Sequence, residues 1–131
     1  MKKTEYSFTK TVNYGFDETI ERVKNELKKE GFGVLADLDF KSTLKEKLNV
    51  EFRPYRVLAA CNPPNALRAL KAEEQIGLFL PCNVIIYENE SNDVIVAAID
   101  PLTNMSIVKN NEVLEVAQII QAKLKTVIEK V

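Results

Sequence analysis

Three short runs, Val57-Leu58-Ala59-Ala60, Val84-Ile85-Ile86-Tyr87 and Val94-Ile95-Val96-Ala97-Ala98-Ile99, constrain this chain more than any other feature. Each is bounded by turn formers and is short and apolar, so each reads as a strand. An antiparallel sheet with helices on one side and water on the other alternates apolar and polar residues along its strands. These runs do not alternate, so both faces of the sheet need cover. The polar turn Asn89-Glu90-Ser91-Asn92 joins the second run to the third as a hairpin, which Asp100-Pro101 ends.

The other elements are arranged around these runs. Tyr6 to Val12, with Phe8, Thr9 and Val12, favours a first strand before the turn Asn13-Tyr14-Gly15. A helix follows, with Asp17 as N-cap, Ile20, Val23 and Leu27 at helical spacing, Lys28 and Lys29 at its carboxyl end, and Gly31 as left-handed cap. From Phe32 to Phe40 the period becomes two, which predicts a strand with Phe32, Val34, Ala36, Leu38 and Phe40 on one face and Leu35, Asp37 and Asp39 on the other. Ser42 is the expected cap of a short helix carrying Leu44 and Leu48. Tyr55 to Cys61 reads as a central strand, and a second short helix begins near Pro64 and runs through Ala66, Leu67 and Leu70. Val113, Val116, Ala117, Ile120, Leu124 and Val127 mark a long amphipathic last helix.

The expected fold is therefore α+β: a five-stranded, mainly antiparallel curved sheet in the order β-α-β-(short α)-β-(short α)-β-β-α, with the long helices on one face. The second face is left to the two short helices and to a partner. The expectation is a homodimer burying Ile85, Tyr87, Ile95 or their neighbours, or else a pocket roofed by the short helices and lined by those side chains and Cys61 or Cys82.

A chain of 131 residues, 46% apolar and 28% charged, suits a single folded domain spanning 1–131 that needs no metal or disulfide staple. Eighteen basic against nineteen acidic residues leave a formal charge of -1, so no cationic field is available and nucleic acid is not an expected partner. Neither a secretory leader nor a membrane-length apolar run is read, which points to a cytoplasmic protein without membrane partners. Cysteines in a reducing compartment are expected as free thiols. The absence of histidine excludes imidazole-activated nucleophiles and histidine-ligated zinc or haem, and the four glycines build no phosphate loop, so no cofactor is indicated.

Candidate chemistry gathers where both cysteines lie beside proline and asparagine, in Cys61-Asn62-Pro63-Pro64 and Leu80-Pro81-Cys82-Asn83. Cys61, Asn62, Pro63, Pro81, Cys82 and Asn83 are the candidate ligand-binding residues, with the thiols placed to meet across a sheet. Such a pair can act as a redox dithiol, a persulfide carrier or a two-thiolate metal clip; equally, both are small buried apolar side chains. Asp37 and Asp39 on one strand face are paired carboxylates or a solvated surface. Arg53, Arg56 and Arg68 are an anion site or ordinary surface ion pairs. Met105, within Leu102 to Ile107, belongs to a lid or to a loop docked by one side chain.

The segments Asp37-Leu38-Asp39-Phe40-Lys41-Ser42-Thr43-Leu44-Lys45, Cys61-Asn62-Pro63-Pro64-Asn65-Ala66 and Leu80-Pro81-Cys82-Asn83-Val84, in that order, resemble the bacterial and archaeal family called domain of unknown function 302. The resemblance spans nearly the whole chain. It implies a fold similar to that of the TATA-binding protein, and it implies no DNA binding, because a fold does not carry its function with it. The resemblance also implies that many relatives replace the two cysteines while keeping the prolines, and it supplies no catalytic residue. The functional expectation is a non-enzymatic domain that binds a small apolar ligand or a copy of itself over the second sheet face. The alternative is a thiol redox, persulfide or metal-binding protein using Cys61 and Cys82.

Overall fold

The computed structural model describes every residue, Met1–Val131. The chain runs β1 (Lys2–Lys3), β2 (Ser7–Val12), α1 (Phe16–Lys29), β3 (Gly33–Asp39), α2 (Phe40–Leu48), β4 (Tyr55–Cys61) and α3 (Pro63–Ala72). After a 3-10 segment at Glu74–Phe79 come β5 (Cys82–Glu88), β6 (Val94–Ile99), α4 (Leu102–Met105), a second 3-10 turn at Ser106–Val108, and α5 (Asn111–Lys130). The strands form one antiparallel sheet in the order β1-β2-β6-β5-β4-β3. Class and helix placement agree with expectation, but the sheet has six strands instead of five. The extra strand is a pair of lysines laid against Thr9 and Phe8, and two charged residues carry neither an apolar signature nor a readable period.

The core lies between the sheet and its helix layer. Phe8, Leu58, Val84, Ile86, Val96 and Ala98 point into it from four strands, and α1 contributes Ile20, Val23 and Leu27. Along α5 the six apolar residues expected from the periodicity are all buried, joined by Ile128. Each such aliphatic side chain stabilises the fold by roughly 1.5–3 kcal/mol before ordering entropy is subtracted.

Local chemistry sets the boundaries, not always as the sequence suggests. The N-cap of α1 is Gly15 instead of Asp17, with Thr19 Oγ1 donating to the Gly15 carbonyl at 2.7 Å; Phe16 packs on the core and draws the helix start forward, leaving Asp17 in the first turn. Asp17 there still faces the positive helix end. Similarly, Asp39 caps α2 in place of Ser42, accepting from the Ser42 amide at 3.0 Å. Gly31 takes φ +83°, as a left-handed cap requires. The hairpin turn is as expected: Asn89 Oδ1 accepts from the Ser91 and Asp93 amides, and β5 pairs β6 on either side.

The strand after α1 departs from simple alternation. A β-bulge sets Val34 opposite Ala60 but Ala36 opposite Ala59, so Leu35 has no direct partner and the face assignment flips along the strand. Val34 and Asp37 thus share the helix side, while Ala36 and Leu38 share the open side. Nor do the short helices roof the open face together. Ala69 of α3 is buried in the helix-layer core, and α3 is tied to α5 by Arg68, which pairs with Glu112 and Glu115. Only α2 stands beside the open face, where Phe40 and Leu44 border a trough with Phe52, Tyr55 and Val57. From β5 to β2 the face is uncovered.

Candidate functional site

Strand register decides what the two cysteine motifs can do. Ala60 and Cys82 are ladder partners, so their side chains leave the same face, and Cys61, one residue beyond Ala60, leaves the other. The expected meeting of the thiols is therefore corrected: Cys82 is buried in the core while Cys61 is half-buried on the open side, and both are free. Burial pushes the Cys82 thiol up to about 11, with a smaller contribution from neighbouring Cys61, which makes Cys82 a poor nucleophile near neutral pH. No group of three or more Cys, Asp or Glu side chains is placed to hold a metal ion.

The remaining candidates divide the same way. Asn62 is largely buried and engaged by the fold: its Nδ2 donates to the Glu30 carbonyl at 3.2 Å and its Oδ1 accepts from Asn65 at 2.9 Å, joining the β4–α3 junction to the end of α1. Pro63 opens α3, and Pro81 follows a cis peptide bond at the entry to β5. Asn83 alone reaches the open face freely, lying opposite Ala59 and at the border of two clefts.

The carboxylate and arginine candidates prove to be structural pairs. Arg56 donates to Asp37 through Nε and Nη2, both at 2.7 Å, while Lys24 of α1 approaches at 3.1 Å. The Arg56 fork, aided by Lys24, outweighs burial and holds the Asp37 carboxyl at about 2. Asp39 is occupied by its cap. Arg53 lies near Glu90 and donates to the Glu88 carbonyl, so the three arginines do not converge. Met105 is buried and docks its segment onto the core, whereas Ile107 is exposed.

What the tertiary structure does assemble is a groove of about 400 Å³ across the open face. Its floor is Ile85, Ala97 and Ile99, with Tyr87 and Tyr6 beside it and Ser7, Thr9 and Asn83 as polar contacts. The small side chain of Ala97 sits between the larger Ile85 and the Thr9 row, which hollows the sheet there. Tyr87 stacks on Tyr55 with ring centroids 5.4 Å apart, and Phe40 and Phe52 pack on Tyr55 in turn, so the apolar surface continues into the trough beside α2. Burial raises the Tyr55 phenol above its ordinary range, with Tyr87 and Tyr6 adding to it, so the Tyr55 ring stays neutral. Sequence reasoning named Ile85, Tyr87 and Ile95 for this face, where Ile95 pairs with Tyr87, but missed the wall from Thr4 to Thr9. The signal was the alternation Ser7, Thr9, Thr11 against Phe8 and Val12.

Comparison with known proteins agrees with this architecture. A family model described as domain of unknown function DUF302 matches residues 8–131. The chain is similar to the crystal structure of an uncharacterized conserved DUF302 protein from Bacillus stearothermophilus at 30% identity, over 97% of this chain and 98% of that one, with a TM-score of 0.89. No functionally curated protein matches it. With its family motif running from the second strand to the last helix, and its whole fold shared with a family member, the chain belongs to the DUF302 family.

Proposed function

We propose that this domain is a non-catalytic binding module that takes a small, mainly apolar molecule on the open face of its sheet. The observation that carries this reading is the groove over Ile85, Ala97 and Ile99, where strands that are apolar on both sides leave one side hollow and uncovered. Its size is in the range of small-ligand sites, and its lining combines an apolar floor with few polar groups, as such sites do. Binding replaces water over this surface and so gains the hydrophobic term that the fold itself leaves unused there. Native mass spectrometry of untagged protein tests the reading together with titration of an apolar dye. A retained small molecule, or dye binding lost in Ala97→Phe, supports it; a bare protein that binds no dye defeats it.

Self-association through the same face is the second reading, favoured by Leu38, Phe40 and Phe52, which are 49%, 38% and 37% exposed along the adjoining rim. In this reading two copies cover each other's Ile85 and Tyr87 as a homodimer. Sedimentation at micromolar concentration separates the two: a dimer that Ile85→Glu dissociates supports self-association, and a monomer that binds dye supports the ligand site. Two-thiol chemistry has less support, because a dithiol or a two-thiolate clip needs both sulfurs on one side of the sheet, which leaves a persulfide carrier to Cys61 alone.

A further inference from the structure

We infer that the ligand of the open face is an amphipathic carboxylate, with its anionic head at Lys2 and Thr9 and its apolar body laid across Ala97 and Ile85. This inference rests on the ligand-site reading above and adds the chemistry of the head group. Its basis is one ladder row that crosses the entire sheet: Leu38 pairs Val57, Val57 pairs Ile85, Ile85 pairs Ala97, Ala97 pairs Thr9, and Thr9 pairs Lys2. Side chains directly paired in a ladder share a face, so the row changes from apolar to cationic within one face of one sheet. At about 4.8 Å per strand step, Lys2 lies roughly 14 Å from Ile85, a span suited to an alkyl or aryl chain of medium length.

The polar end gathers three hydroxyls, Thr4, Ser7 and Thr9. Thr4 Oγ1 accepts from the Ser7 amide at 3.0 Å and lies 2.6 Å from Ser7 Oγ, with either hydroxyl able to donate. Ser7 Oγ in turn lies 3.1 Å from Thr9 Oγ1, so Thr9 can accept from Ser7 and turn its own hydrogen to a ligand. Beside it, Lys2 is exposed and makes no ion pair, in contrast to Lys3, which reaches Asp100 at 3.1 Å. No carboxylate lines the groove. One cation and one hydroxyl able to donate, with no competing acid, complement an oxyanion and disfavour a cationic head.

Calorimetric titration with decanoate, decanol and decyltrimethylammonium tests the inference on the wild type, Lys2→Gln, Thr9→Val and Ala97→Phe. Decanoate is expected to bind about fivefold tighter than decanol at low salt, as one exposed ion pair allows, with the advantage lost in Lys2→Gln and Thr9→Val. Equal affinity for acid and alcohol, or tighter binding of the ammonium, overturns the head-group assignment while leaving the apolar site standing. If none of the three binds, or if binding survives both Ala97→Phe and Ile85→Glu in folded protein, the site itself falls. Ile85→Glu serves as the second blocking variant should Ala97→Phe lose its circular dichroism signal.

Discussion

Ile85 and Ile86 are adjacent in sequence and identical in chemistry, yet the sheet sends them to opposite sides, so truncating each in turn measures how uncovered the open face is. Ile86 is 0% exposed and belongs to the core, whereas Ile85 is only half-buried in the groove floor. Ile86→Ala removes a fully packed side chain and leaves a cavity, a loss of about 4 kcal/mol. Ile85→Ala removes contacts on one side only, for about 1 kcal/mol. An unfolding entropy of about 2.1 cal/mol/K per residue, taken over 131 residues, gives roughly 0.28 kcal/mol per degree. Tm should therefore fall by about 14 °C for Ile86→Ala and about 4 °C for Ile85→Ala. Thermal unfolding followed by circular dichroism reads both, with urea unfolding as a check that the m-value is unchanged. Equal losses would refute the reasoning, because Ile85 would then be covered as completely as Ile86. A loss for Ile85→Ala that grows with protein concentration would identify the cover as a second copy of the chain.

The pH dependence of stability should carry two signatures. Asp37 is held at about 2 by Arg56 and Lys24 against an ordinary 3.8, so its contribution, about 1 kcal/mol after screening, is complete above pH 4 and is lost as pH falls toward 2; a urea midpoint in Asp37→Asn that is as steep over this range as in the wild type would contradict it. Cys82 is raised from 9.0 to about 11, so its neutral thiol stabilises the fold below pH 9 and that contribution is lost as pH rises toward 11; Cys82→Ala should flatten the alkaline limb. Iodoacetamide at neutral pH should label Cys61 well before Cys82, and mass spectrometry showing the reverse order would contradict the face assignment. Gly31→Ala should cost about 1–2 kcal/mol, since φ is +83° and the new Cβ would lie 3.2 Å from Asn62 Nδ2, whereas Gly33→Ala, with open space around it, serves as the control in a melting comparison.

How much of this protein was legible in its sequence depends on the range over which each feature is set. The face of α5, the hairpin at Asn89 and the left-handed cap at Gly31 follow from spacing and turn chemistry within a few residues, and all three stand as read. The apolar character of both faces of β4, β5 and β6 was equally local, and with it the expectation of a cover over the second face. The candidate site depended on relations between distant segments. That Cys61 and Cys82 lie on opposite faces turns on the pairing of Ala60 with Cys82, and a shift of one residue would have brought the thiols together. Likewise the bulge at Leu35 reverses the faces of Ala36 and Asp37, and two lysines become a strand only because β2 offers an edge. The periodicity of a strand states that its two faces differ. Which residues share a face with those of another strand is set by the ladder, and the ladder is chosen by packing across the whole sheet. The row from Leu38 to Lys2, drawn from six strands, therefore exists only in the tertiary structure.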